Sequence, residues 1–152
     1  MRWIMVKHWY VTAKHKWWVF WFLLKTCWAL FKRGIVHDAS KFSKGEAPIF
    51  AEVNAKLKST EYGSPEYYAQ LDKLQSALDH HYAHNSHHPE HYEEGLSEMS
   101  LLDVIEMLCD WKAAGMRHED ASTEKSIQHN QGRFDYDEAM ADKYRQFYTE
   151  IK

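Results

Sequence analysis

Cysteine is scarce in this 152-residue chain: Cys27 and Cys109 lie far apart and form no Cys-x-x-Cys pair. That excludes a disulfide framework and a cysteine-rich zinc site, and reads as two buried thiols in a reducing, cytoplasmic setting. Proline occurs three times and glycine six, so signals that break helices are few. No Gly-rich phosphate-cradling loop is present, which excludes a P-loop type of triphosphate site. An excess of basic charge is missing too. A formal charge of -3 and a pI near 6.4 give no general attraction to nucleic acid, and no duplex partner is expected. The eleven histidines would add several positive charges on acidification toward pH 6. Nor does any apolar run reach the roughly twenty residues of a membrane span. Trp17 to Leu24 is apolar without a break, but Lys25 and Thr26 then interrupt, and no small-residue cleavage site follows. Convincing strand patterns, internal repeats and low-complexity linkers are also lacking.

What remains is aromatic and helical. Seven Trp, nine Tyr and seven Phe fill a chain whose pattern predicts one compact all-α domain over residues 1–152. A first helix runs from about Val6 to Lys32 and closes at Gly34. It is expected to be buried on most sides, with a membrane-surface or homo-oligomer contact through its tryptophans as the alternative. A helix from about Pro48 to Lys58 follows, then a turn-rich stretch from Ser59 to Ser64. Ser64-Pro65-Glu66 supplies a capping hydroxyl, a proline at the first helical position and an acid in the first turn. Asn85 to His91 reads as irregular. Ser100-Leu101-Leu102-Asp103 resembles a capping box and opens a helix that stops at Gly115. His118 to Gly132 is polar and partly helical at best, and a last helix covers about 135–151. A metal-site core over about 6–115 is expected.

The chemistry-bearing feature is histidine. Half of the residues from His80 to His91 are histidine, namely His80, His81, His84, His87, His88 and His91. They follow a lone His37-Asp38 pair. Imidazole and carboxylate are the ligands of mixed nitrogen and oxygen metal sites, and packing alone does not explain six imidazoles in twelve residues. Adjacent side chains diverge in regular elements, so His37 and Asp38 can serve one ion only if the backbone turns there, if that ion sits at a helix end, or if Asp38 bridges to a second ion. His15 stands just before the aromatic run and should point inward. Asp110, in an otherwise apolar stretch, would be expensive to bury unless paired or coordinating. Asp103 is the reserve ligand, seven residues earlier on roughly the same face. His91 is the expected bystander. Taken singly, a core hydrogen bond explains His15 as well as ligation does, and an ion pair explains Asp110.

The order His, His-Asp, paired His, distant Asp resembles the HD-domain superfamily, whose members are all-helical and bind divalent metals. More closely, His15-Lys16-Trp17, His37-Asp38-x-Ser40-Lys41-Phe42, His80-His81 with Asn85-x-His87-His88-Pro89, and Met107-Leu108-x-Asp110-Trp111 are similar to a family found widely in phages and bacteria, a divergent branch of that group. The resemblance spans residues 15 to 111. It implies a first metal shell of His15, His37, Asp38 and Asp110. His80 or His81, and His87 or His88, would ligate a second ion or contact substrate, and Lys41 would meet a phosphate or steady a carboxylate. One subgroup, the mononuclear nucleotidases, carries a Glu three residues after the Asp. Lys41 stands there instead, so that acid-base assignment does not transfer, and Glu46 is the nearest acidic substitute.

The expected function is therefore that of a phosphohydrolase using one or two divalent ions, with Mn, Fe, Zn, Ni and Co undistinguished, to activate water against a nucleotide or other small phosphate ester. A neutral His81, His84 or His88 would protonate the leaving oxygen. A di-iron oxygenase and a metal-stabilised binding protein are the alternatives, separable by oxygen consumption and by turnover.

Overall fold

The computed structural model describes residues 2–57, 59–61, 64–116 and 122–151. Every regular element among them is helical, as expected: α1 (Arg2–Val36), α2 (Ala47–Leu57), α3 (Pro65–His84), α4 (Leu101–Gly115), α5 (Thr123–Phe134) and α6 (Glu138–Glu150). Short 3-10 turns lie at Ala39–Phe42, Pro89–His91 and Gly95–Glu98. The chain divides into two units between His37 and Asp38.

The first unit is α1, which runs two residues beyond Gly34 before it stops. It holds no buried residue, so the expectation of a helix covered on most sides is corrected. The eight-residue apolar run from Trp17 to Leu24 wraps more than two full turns, and no single neighbour can cover such a helix. Its rings pack along the helix instead, as in Trp18 on Phe22 and Trp28 on Phe31. His15 is exposed and does not point inward.

The second unit begins with a sharp turn. Asp38 adopts the left-handed conformation (φ 55°), which among non-glycine residues Asp and Asn tolerate best. The 3-10 turn Ala39–Phe42 and then α2 follow, and α2 packs along α3. Ser64 caps α3 by accepting from the Tyr67 amide, and Ser100 and Asp103 close a reciprocal capping box on α4, both as the sequence predicts. The core lies among α4, α5 and α6, where Met107, Leu108, Ile127, Ala141, Tyr144 and Tyr148 meet. The buried tyrosines satisfy their hydroxyls on backbone: Tyr148 donates to the Leu108 carbonyl and Tyr136 to that of Ile127.

Two further expectations change. Residues 123–134 form a full helix, although His118 to Ala121 lie outside the described residues. Of its twelve residues only Ile127 and Phe134 are large and apolar, so little apolar pattern marks it. It is held by the Ser122 cap and by Arg145 of α6, which grips Glu124 at 2.9 Å. Cys27 and Cys109 are both exposed free thiols. On α4 the inward stripe belongs to Asp103, Met107 and Leu108, which turns Cys109 outward.

Candidate metal centre

Three segments of the second unit converge: the turn at Asp38, the end of α3 with the loop after it, and α4. Asp38, His81, His87 and His88 bring one ligand atom each within 4.8 Å of one another. His81 Nε2 lies 2.9 Å from His88 Nε2 and 3.3 Å from Asp38 Oδ1, and His87 Nε2 lies 3.5 Å from the same oxygen. Two donors each about 2.1 Å from one ion stand about 3.0 Å apart at a right angle and about 3.4 Å at the tetrahedral angle. The three separations fall on those edges. A ligand nitrogen of His87 also lies within 4.8 Å of a carboxylate oxygen of Asp110. The donor set, three imidazoles with carboxylate, fits a divalent transition ion.

The chain aims these rings with carboxylates behind them. Glu46, fully buried, accepts from His81 Nδ1 at 2.9 Å and from His80 Nδ1 at 2.7 Å. Burial works against its charge, but the hydrogen bonds from His80, Ser40 and His81 outweigh it and hold the carboxyl below its usual range. With Nδ1 so engaged, His81 presents Nε2 to the cluster, the arrangement that fixes tautomer and orientation in metal-binding histidines. His87 repeats it, with Nδ1 3.3 Å from Glu106 Oε1. The Asn85 amide donates to Ser40 Oγ and to the His81 carbonyl, both at 2.7 Å, tying the start of the loop to the turn after Asp38. His88 is pushed down to about 3 by burial first, then by His87 and His81, so it is neutral at neutral pH, the form that ligates. An imidazole neutral when folded and titrating near 6.5 when unfolded stabilises the fold fully above that pH; the contribution is lost as pH falls from about 6.5 toward 3.

The other expected site residues have separate places. Lys41 pairs with Asp38 Oδ2 at 2.6 Å and steadies that carboxylate. His80 serves Glu46 and is not gathered into the cluster; its ring packs over Gly45, where a Cβ would come within 3.3 Å of Nε2. His84 stacks on His80, bonds its carbonyl and is likewise not brought in. His91 is exposed and donates to the Tyr82 carbonyl. Asp103 is structural rather than a reserve ligand: Ser86, Tyr92 and the Ser100 amide occupy its oxygens. His15 and His37 belong to the first unit, His37 half-buried in the turn that ends it.

Sequence reasoning missed Glu106 and gave Glu46 too small a part. The signal for Glu106 was its spacing of four from Asp110, which puts both on one face of α4. Glu46→Gln is expected to weaken metal affinity by roughly 10- to 100-fold without emptying the site. Calorimetric titration with Zn²⁺ or Mn²⁺ reads this directly, and an unchanged affinity would remove Glu46 from the centre.

A cleft of about 470 Å³ opens beside the cluster, with His88 and Asp110 on its wall. Trp111 and Phe134 line it as parallel rings 5.9 Å apart, and Tyr82, His129 and Arg133 supply polar groups. Arg133 reaches Glu90 and, at 3.4 Å, the Tyr82 hydroxyl. A cleft of this size suits a small organic ligand.

A family model described as a family of unknown function (DUF5662) matches residues 5–152. No curated protein and no solved structure matches the chain.

Proposed function

The chain belongs to the DUF5662 family, and on that footing we propose that Asp38, His81, His87, His88 and Asp110 form a divalent-metal centre that hydrolyses a small phosphate ester held in the adjoining cleft. The observation that carries this is the shared wall: His88, of the group around Asp38, and Asp110, within ligand distance of His87, both also line the open cleft. A closed structural site has no reason to keep such an opening. The HD-domain resemblance of the His37-Asp38 and His80-His81 elements points to the same chemistry.

Bound there, a divalent ion lowers the pKa of water and neutralises phosphoryl charge. The protein's own groups do the rest. Asp38, steadied by Lys41, supplies the anionic ligand, while Glu46 and Glu106 keep His81 and His87 turned to the centre. Arg133 exchanges part of its contact with Glu90 for a phosphate oxygen. The Trp111 and Phe134 faces carry a flat leaving group. His129, on the cleft wall, would be the group that gives the leaving oxygen a proton.

Metal content of the untagged protein, followed by a phosphate-release screen of nucleotides and aryl phosphates, tests the reading. Stoichiometric Mn, Zn, Ni or Co with phosphate release supports it. Iron with oxygen consumption would replace it by oxidative chemistry, and metal without any turnover would leave a metal-stabilised binding protein. Arg133→Ala should raise KM roughly 10- to 100-fold, the loss of one charge-assisted hydrogen bond, while bound metal stays unchanged. A KM that does not move would take the phosphate away from Arg133.

A further inference from the structure

The centre leaves the whole first unit unused, and that unit has a composition of its own. Residues 1–37 hold six of the seven tryptophans, seven Lys and Arg and no Asp or Glu, a formal +7 against -10 on the remainder. No residue of α1 is buried, and Trp3, Trp9, Trp17 and Trp28 are each about 60% exposed or more. Lys7, Lys14, Lys25 and Lys32 recur at intervals of seven, eleven and seven. Those intervals are close to two, three and two helical turns, so the four form one line. The opposite line holds Met5, Trp9, Phe20, Leu23, Cys27 and Leu30, interrupted by Lys16. Within the lysine line, Lys7 and Lys25 lie 5.7 and 5.6 Å from the rings of Trp3 and Trp21, one turn earlier.

We propose that α1 lies flat on an anionic lipid bilayer, with the lysine line at the headgroups and the opposite line in the acyl boundary. Whatever covers this helix must be apolar and negatively charged together. Tryptophans, and lysines that reach outward along their apolar stems, are the residues such an interface selects. No part of a second copy meets both demands together. Its α1 is apolar but brings the same positive charge, while on the negatively charged residues 38–151 the exposed large apolar side chains, Phe42, Leu101 and Met116 among them, are scattered single residues. No described helix is long and apolar enough to cross a membrane. The inference stands independently of the metal centre.

Co-flotation of the full chain with phosphatidylcholine vesicles, with and without phosphatidylserine, tests it. Binding should require phosphatidylserine, fall as salt is raised, and shift tryptophan emission to the blue. Replacing Lys7, Lys14, Lys25 and Lys32 together by Gln should lower partitioning by roughly 600-fold, from about fivefold per lysine near the surface, with the helical circular dichroism kept. The salt titration of the wild type decides the matter if that variant misfolds. No partitioning, salt-independent partitioning, or a lipid-free dimer whose tryptophan emission is already blue-shifted would overturn the proposal.

Discussion

Asp38→Asn is expected to leave the protein without its metal and without turnover. The substitution keeps the shape of the side chain and a residue type that accepts the left-handed backbone found there (φ 55°). It removes the one anionic donor that meets His81 and His87 together, at 3.3 and 3.5 Å. Three neutral imidazoles with Asp110, which is grouped with His87 alone among them, bind a divalent ion far more weakly than the same donors with Asp38 between His81 and His87. Bound metal should fall from near one equivalent to under about a tenth, and phosphate release by at least roughly 1,000-fold. Stability without metal should barely move, because the partly exposed pair with Lys41 is worth only about 0–1 kcal/mol. Elemental analysis beside thermal unfolding in chelator reads both quantities. Metal retained at wild-type level by Asp38→Asn would end the assignment.

His81→Ala should do more, because His81 serves the fold as well as the centre. It is buried, and its Nδ1 partners Glu46, a carboxylate with no exposure at all. Its removal leaves Glu46 with His80 and Ser40 and opens a hole beside Asn85, whose amide lies against the same residue. A buried acceptor stripped of one donor, with some packing lost, costs about 2–4 kcal/mol. For a chain of this size that lowers Tm by roughly 4–16 °C, in addition to loss of metal. His84→Ala is the control, three residues on and exposed. It should stay within about 0.5 kcal/mol of wild type and keep full metal content. Equal behaviour of the two variants would show that the helix end does not sort its histidines as described.

That sorting marks the boundary between local and distant information. The helices were legible because their determinants are local: Ser64-Pro65-Glu66 and Ser100 to Asp103 cap within one turn, and Leu71 to Leu78 keep a helical period. The ligand types were legible for a related reason, since six histidines in twelve residues have no packing explanation. Which histidine turns inward was not. His80 and His81 differ by one helical step of about 100°, and the choice depends on where Asp38 stands, 43 residues before His81. The fate of α1 was misjudged because apolar character states a need for cover without saying whether cover exists. α5 was underrated because an ion pair with Arg145, 21 residues away, supports it where apolar residues are few.

By itself, then, the sequence determined an all-helical chain, its helix starts and a histidine and aspartate chemistry, because caps, periodicity and composition act within a few residues. Only the tertiary structure decided that Asp38 meets His81, His87 and His88, that Glu46 and Glu106 stand behind the rings, and that a cleft opens at His88 and Asp110. Those are meetings between segments about 20 to 50 residues apart, set by how helices pack and not by any pattern along one of them.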